Sequence, residues 1–380
     1  MSEETFVRVL ERRADDVRPR HLGFEDVRRS ARRIQRRRRA AVAGGVAAAV
    51  AAAILVPSAL LGGSSTSEAP DPAPPSRSGH TAFLHDGQVT LPDGRTVDVD
   101  LDNRDVTQLG VLSDGRIVAA TSRPQAIQVF SADGDLAAQY QVPVNALTMS
   151  PDEALVAWVD ESGQVQVLES GVDEPVTLSA IPVPDETFLI VNAVTGSGCA
   201  DGGCTAWGGD GSTTSAAATT DGPVDLSTSQ PLRITDVSPD GQRWAVSFPP
   251  APDEQFGCSA IYDVETDEVR ADNCETSGLR FAPDGEHLIG MRGDNAMFGQ
   301  VEVYDQELRE VTVFDPPDGR VVKAAAWADD SHLLVVTSDL TAHPEWSLLR
   351  VPIDGGTPET VVGPVDGPNP ESSSAFLLSE

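Results

Sequence analysis

The chain has 380 residues, a formal charge of −32 and 40% hydrophobic residues, enough to bury a sizeable core and too many for a disordered polymer. The charge is unevenly placed: residues 1–39 hold 13 Arg against 7 Asp and Glu, residues 40–62 hold none, and everything after position 39 carries 52 Asp and Glu against 14 Lys and Arg. So acidic a body repels phosphate backbones and disfavours nucleic acid as a partner, and the basic-to-acidic switch across an uncharged stretch points to a compartment boundary.

In the basic segment, residues 1–39, two short amphipathic helices are predicted. Residues 5–17 put Phe6, Val7, Val9 and Leu10 in one stripe, and residues 24–35 do the same with Val27, Ala31 and Ile34. Pro19 and Gly23 separate them. Neither helix can bury its stripe alone, which leaves two readings. One is an arm whose arginines hold the anionic headgroups of a lipid bilayer, at about 1 kcal/mol per residue near the surface. The other is a docking element for a cytosolic regulator.

Residues 40–62 are apolar and uncharged, long enough for a transmembrane helix of roughly 20 residues. Arg28, Arg29, Arg32, Arg33 and Arg36 to Arg39 precede it directly, and the first basic residue beyond it is Arg77. The positive-inside rule therefore predicts a single-pass protein of the cell membrane, N-terminus cytoplasmic and C-terminal domain extracytoplasmic. A cleaved signal peptide is the competing reading, but its charged region would be unusually long and no clear A-x-A site comes after the apolar run. No cysteine comes directly after the span to carry a lipid anchor.

A short helical N-terminus, a run of arginines, an Ala-rich span and an outer domain together resemble the membrane-anchored regulators of actinobacteria that sit beside extracytoplasmic-function sigma factors. The resemblance implies a sigma factor or similar partner at residues 1–39. The chain departs from the well-known anti-sigma domain in lacking a His-x-x-x-Cys-x-x-Cys zinc signature, since every cysteine lies beyond the span.

Residues 63–79 (GSSTSEAPDPAPPSRSG) are small, polar and proline-rich, the composition of a semi-extended linker. The domain 80–380 comes next. Within it one unit recurs: ITDVSPDGQRWAVSF (234–248), LRFAPDGEHLIGMR (279–292), LGVLSDGRIVAATS (109–122), ALTMSPDEALVAWVD (146–160) and AAAWADDSHLLVVTS (324–338). Each has an apolar strand, an Asp-centred turn and a second apolar strand, and a further strand pair comes after each. In these turns Pro fixes φ, Asp bonds to the backbone ahead and Gly accepts positive φ.

Four antiparallel strands about every 40 residues predict an all-β fold, a β-propeller of four-stranded blades. The blades fall at 107–141, 144–178, 188–227, 232–275, 277–315 and 320–362. The opening stretch 81–101 supplies three further strands and 374–379 one more. If that last strand completes the first blade the ring closes with seven; the Gly-, Ser- and Thr-rich stretch 188–227 leaves six or eight open. The Ser-Pro-Asp-Gly turns resemble the TolB-like, WD40-like repeat family, over most of 106–362. The Trp-Asp pair of ordinary WD40 blades is absent.

All four cysteines follow the span, as an oxidising compartment allows. In CSAIYDVETDEVRADNC, a hairpin centred on Thr266 pairs Asp263 with Val269 and sets Cys258 opposite Cys274. Cys199 and Cys204 face each other across a hairpin tip at Asp201-Gly202. Two disulfides are expected. Metal binding is the alternative, but the spacing matches no zinc signature.

No residue qualifies as catalytic, metal-ligating or cofactor-binding. Thr195-Gly-Ser-Gly-Cys199 lacks the spacing of a nucleophile elbow, and His21, His80, His85, His287, His332 and His343 are scattered singly. Asp98, Asp100 and Asp102 share one face of a strand, but the residues after them lack the glycine and terminal glutamate of a calcium loop. Trp158, Trp207, Trp244, Trp327 and Trp346 fall on strands as core residues, with one or two candidates for the channel mouth. The expectation is a non-enzymatic binding module for an envelope protein, peptide or glycan. A transmembrane sensor docking a cytosolic partner, and a propeller-based glycan lyase or hydrolase, are the alternatives.

Overall fold

Because each blade is covered by a neighbour on both faces, its middle strands are apolar without alternation. Leu155–Val159 is buried at every position and so is Ser259–Asp263. The outermost strands, covered less, run largely exposed, as Leu136–Gln141 does. The computed structural model describes residues 81–379 apart from 184–186, 227, 229–230, 250–256, 293–298, 318 and 371–372. The helices expected within 1–39, the span 40–62 and the linker 63–79 lie outside the described residues. Among the described residues no helix is long and apolar enough to cross a membrane.

The described residues form seven four-stranded antiparallel sheets. Their first strands lie side by side around an axis: Val106–Val111, Thr148–Met149, Ile190–Gly196, Arg233–Val237, Ser277–Phe281 and Arg320–Asp329, with Leu377–Leu378 making up the ring. This is a seven-bladed β-propeller. Blade 1 is built from both ends of the domain. Leu377–Leu378 pairs antiparallel with Phe83–His85, setting Phe83 opposite Leu378, and Gln88–Thr90 and Thr96–Asp98 complete the sheet outward. Ser379 also bridges to Leu109 of blade 2. No inner edge is left open.

The core is not one mass but seven layers, one at each interface between consecutive blades. The layer between blades 7 and 1 gathers Trp346, Val336 and Leu348 against Phe83, Phe376 and Leu378. That between blades 4 and 5 contains Trp244, stacked on Tyr262 at 5.7 Å and edge-on to Trp207.

The Gly-, Ser- and Thr-rich stretch makes an ordinary blade, Ile190–Gly196, Cys204–Gly209, Thr214–Thr219 and Gly222–Asp225. Its composition reflects close packing: a Cβ on Gly208 would lie 2.6 Å from the Ile190 carbonyl oxygen.

The turns between first and second strands behave as their residue types dictate. In blade 5 the Ser238 hydroxyl donates to Asp240 Oδ1 at 2.6 Å, the same oxygen accepts from the Gln242 amide at 3.0 Å, and Gly241 takes φ 71°. In blade 2 the turn also reaches sideways: Asp114 accepts from the Gly171 amide of blade 3 at 2.7 Å, and Arg116 donates to the Glu169 and Val172 carbonyls.

Both cysteine pairs are bonded, Cys199 to Cys204 and Cys258 to Cys274, but the local geometry differs from the expected hairpins. Asp263 pairs with Glu268, not Val269, which is opposite Tyr262. One extra residue, Arg270, bulges from the outer strand before Ala271 meets Ile261, and this offset brings Ser259 opposite Asn273 and the next pair, Cys258 and Cys274, into reach. In blade 4 it is Gly196 that pairs with Cys204; Cys199 sits in a single 3₁₀ turn, Cys199–Asp201, whose amides at Gly198 and Cys199 are held by the Glu169 carboxylate.

Candidate functional site

The inner strands are largely apolar, and several of the polar residues on or beside them tie the blades together around the axis. Thr107 donates to the Asn145 carbonyl at 2.9 Å, Thr148 to Val191 at 2.8 Å and Thr235 to Leu279 at 3.2 Å. Gln108 accepts from the Leu147 amide at 2.7 Å, and Asp236 from the Phe281 amide at 2.7 Å. Thr81 closes the seam between blades 1 and 7 by donating to the Trp327 carbonyl at 2.6 Å. A hydroxyl or amide bonded to the next blade's backbone satisfies groups that an inner strand facing a channel leaves unpaired, and it fixes the channel wall.

That channel has two mouths. The one at the Pro-Asp turns is a cavity of about 180 Å³, where Pro151, Pro239 and Pro283 meet Trp327, Glu153 and Asp236. The opposite mouth is larger, about 640 Å³, bounded by the starts of the inner strands of blades 3 to 6 and by loops such as Gly211-Ser212 and Phe248-Pro249. Arg280 lines both cavities and so marks the waist between them. An off-axis cavity of about 600 Å³ lies between blades 1 and 7 beside His85, Asn103 and Asp366.

Electrostatically the two mouths differ. The smaller contains two carboxylates, Glu153 and Asp236, beside Arg280. The larger contains Arg233 and Arg280 and, among the described residues, no Asp or Glu, in a domain where acidic residues outnumber basic ones almost fourfold. Several turn carboxylates elsewhere in the ring are already committed. The Ser238 hydroxyl first, against the opposing effect of burial, holds Asp240 below the ordinary carboxylate range, and the Ser212 hydroxyl with the Thr213 amide brings Asp210 down to about 2. Burial pushes Asp329 up, yet its bonds from His332, Arg350 and Ser331 together outweigh it and hold the group well below that range.

Between blades 5 and 6 a fully buried carboxylate, Glu302, pairs with Arg292 at 2.9 Å and accepts from the Tyr304 hydroxyl. Burial first, then Glu302, pushes the Tyr304 phenol up. This cluster joins strands and faces no cavity mouth.

Of the residues considered from sequence, Trp327 alone among the tryptophans lines a channel mouth, the smaller one; Trp158 and Trp346 are fully buried in blade layers. Asp98, Asp100 and Asp102 are not brought together, because the outermost strand of blade 1 ends at Asp98, which accepts from Gln88, while Asp102 caps the Arg104 amide. Thr195 and Gly196 end an inner strand and Ser197 begins the disulfide turn. His85 stacks on Phe376 at 4.5 Å, and His287 and His332 sit beside turn aspartates. Among the described residues the one grouping with metal-ligand geometry is Glu169 with Cys199 and Cys204, whose sulfurs are joined to each other. Sequence reasoning did not single out Arg233 and Arg280. The available signal was an arginine inside largely apolar inner strands, PLRITDV and GLRFAPDG.

No family model and no curated protein matches the chain. Among solved structures it is similar to the one assigned as TolB from Agrobacterium tumefaciens, at 14% identity and TM-score 0.41, over 64% of this chain and 92% of that one. It is also similar to TolB from Acinetobacter baumannii, at 16% identity and TM-score 0.47, over 67% and 68% of the two chains. The propeller architecture rests on strand order and register, independently of these likenesses.

Proposed function

We propose that the protein is a membrane-anchored, extracytoplasmic propeller that binds a protein, peptide or glycan of the cell envelope at its channel face without turning it over. One observation carries this reading: a closed ring of seven blades, fixed by side-chain bonds from blade to blade, holds open an axial cavity of about 640 Å³ edged by loops. A rigid scaffold with variable loops at one face suits recognition. The uncharged stretch 40–62 behind the arginine run supports the anchor, and the acidic excess after it supports placing the ring outside.

The test is in-cell photo-crosslinking from Phe248, at the rim of the larger mouth, in the full-length chain. A discrete adduct with one envelope component is expected, with none from Leu136 on the outer strand of blade 2. Equal labelling from both positions, or none from either, counts against the reading. Protease added to wall-stripped cells should digest the ring; its survival would refute the topology.

A second reading has its own support in the two amphipathic stripes and 13 arginines of residues 1–39. Here the ring is the sensing part and the N-terminus docks a cytosolic regulator such as a sigma factor. Affinity capture of the full-length chain from detergent extracts should then recover one cytosolic protein, lost when residues 1–35 are deleted.

A further inference from the structure

We propose that the larger channel mouth is a receptor for a carboxylate, presented by an extended peptide and held by Arg233. The inference rests on the binding-module reading and adds the chemistry of the ligand. Arg233 begins the inner strand of blade 5, its backbone paired with Ser247, so its side chain has a fixed root in the cavity wall. Its Nε is buried with no hydrogen-bond acceptor, and its guanidinium has no hydrogen-bond or ion-pair partner among the described residues.

Among the described arginines only Arg104, which is exposed, shares this lack of a side-chain partner. Arg116, Arg243 and Arg309 each lie within 3.6 Å of a carboxylate. Arg320, whose Nε is also unbonded, donates from Nη2 to the Glu345 carbonyl and the Ser347 hydroxyl. With 49 Asp and Glu between residues 81 and 379, leaving an arginine unanswered in a cavity that no acidic side chain among the described residues lines is a specific arrangement. A guanidinium in such a setting matches a carboxylate, which takes two parallel hydrogen bonds from its fork.

The rest of the wall selects the carrier. A polyanion is repelled by the ring's net charge before it reaches the mouth, whereas a single carboxylate inside the cavity is screened from carboxylates more than about 10 Å away. A neutral sugar ring is best served by acceptor carboxylates and a flat Trp or Tyr face, and the described residues of the mouth supply neither. Ile190, Phe248 and Pro249 instead offer apolar contact beside the arginine, which suits a peptide carrying an apolar side chain next to its acid.

The test presents the immobilised full-length protein, in detergent, with a random hexapeptide pool in two forms, free C-terminal acid and C-terminal amide, and with oligogalacturonate as a non-peptide carboxylate. Retention is read by mass spectrometry. The acid pool should be retained about tenfold more than the amide pool, and peptides retained from the amide pool should be those with Asp or Glu, since a hydrogen bond to a charged group has that size. A preference for chain ends or for acidic side chains names the source of the carboxylate. Arg233→Gln should remove about tenfold of the retention. Ser277→Asp, an exposed position of the same wall that places a competing carboxylate in the cavity without touching the core, should do the same. Arg123→Gln, whose arginine is exposed and already paired with Asp105, should change nothing. Retention of peptides irrespective of charge and unchanged by Arg233→Gln would leave a binding module but overturn the anionic site. Retention of oligogalacturonate alone would overturn the peptide assignment, and retention of no probe would overturn the proposal while the cross-linking test judged the module by itself.

Discussion

Phe376→Ala probes the closure of the ring. The Phe376 side chain is 1% exposed, lies in the layer between blades 7 and 1 with Trp346, Val336 and Leu348, and touches the rings of Phe83 and His85. Truncating a buried Phe costs about 3–5 kcal/mol, because the lost transfer energy is joined by the cavity left behind. A domain's whole net stability is about 5–15 kcal/mol, so this one change should remove about a fifth of it or more. All five tryptophans lie in the ring, which lets their fluorescence report urea unfolding of the propeller in the full-length protein. The midpoint should fall by roughly 1 M or more for a slope near 3 kcal/mol/M, while Phe376→Leu should cost under about 1.5 kcal/mol and the exposed Leu136→Ala under about 0.5 kcal/mol. A Phe376→Ala midpoint indistinguishable from that of Leu136→Ala would mean that the C-terminal strand does not complete blade 1.

Replacing Cys258 and Cys274 together by Ser should cost about 3 kcal/mol by the loop-entropy estimate, against about 2 kcal/mol for Cys199 and Cys204, whose loop is shorter; urea midpoints of the two double variants compare them directly. Asp329 has a folded pKa below its unfolded one, so its contribution is complete above about pH 4 and is lost as pH falls through the folded value. Asp329→Asn should accordingly destabilise at pH 7 and matter progressively less as the pH drops below about 4, and a destabilisation that is flat between pH 7 and pH 2 would contradict the bonding described for this turn. Arg292→Ala, which strands the buried Glu302, should cost about 3–5 kcal/mol, and adding Glu302→Gln should return most of it; equal instability of the single and double variants would show that the pair does not act as a unit.

The blades were legible because their turns carry local chemistry. Ser238-Pro239-Asp240-Gly241 closes on itself through bonds among its own residues, so its sequence marks a strand junction wherever it falls. The expected limits 232–275 and 277–315 accordingly enclose the observed strands from Arg233–Val237 to Glu310–Phe314. The role of the C-terminal strand was legible by counting, since the opening stretch had one strand too few. What escaped is what depends on position in the closed ring. The Arg270 bulge shifts a hairpin by one residue with no turn residue to announce it, and periodicity alone puts Val269 opposite Asp263. Arg233 reads as an ordinary strand residue, because its distinction, a cavity with no carboxylate among the described lining residues, is made by residues drawn from five blades.

The pairing of Leu377–Leu378 with Phe83–His85 also sets a timetable for synthesis. The outer three strands of blade 1 are made before every other blade, yet its innermost strand is made after all of them. At about 5–20 residues per second, the outer three strands wait roughly 15–60 seconds for their partner, with the inner edge of Phe83–His85 unpaired throughout. Such an edge is a template for any other extended chain nearby, so the nascent ring is most vulnerable to pairing with a sister molecule during the interval before it shuts, and slowing elongation lengthens that exposure.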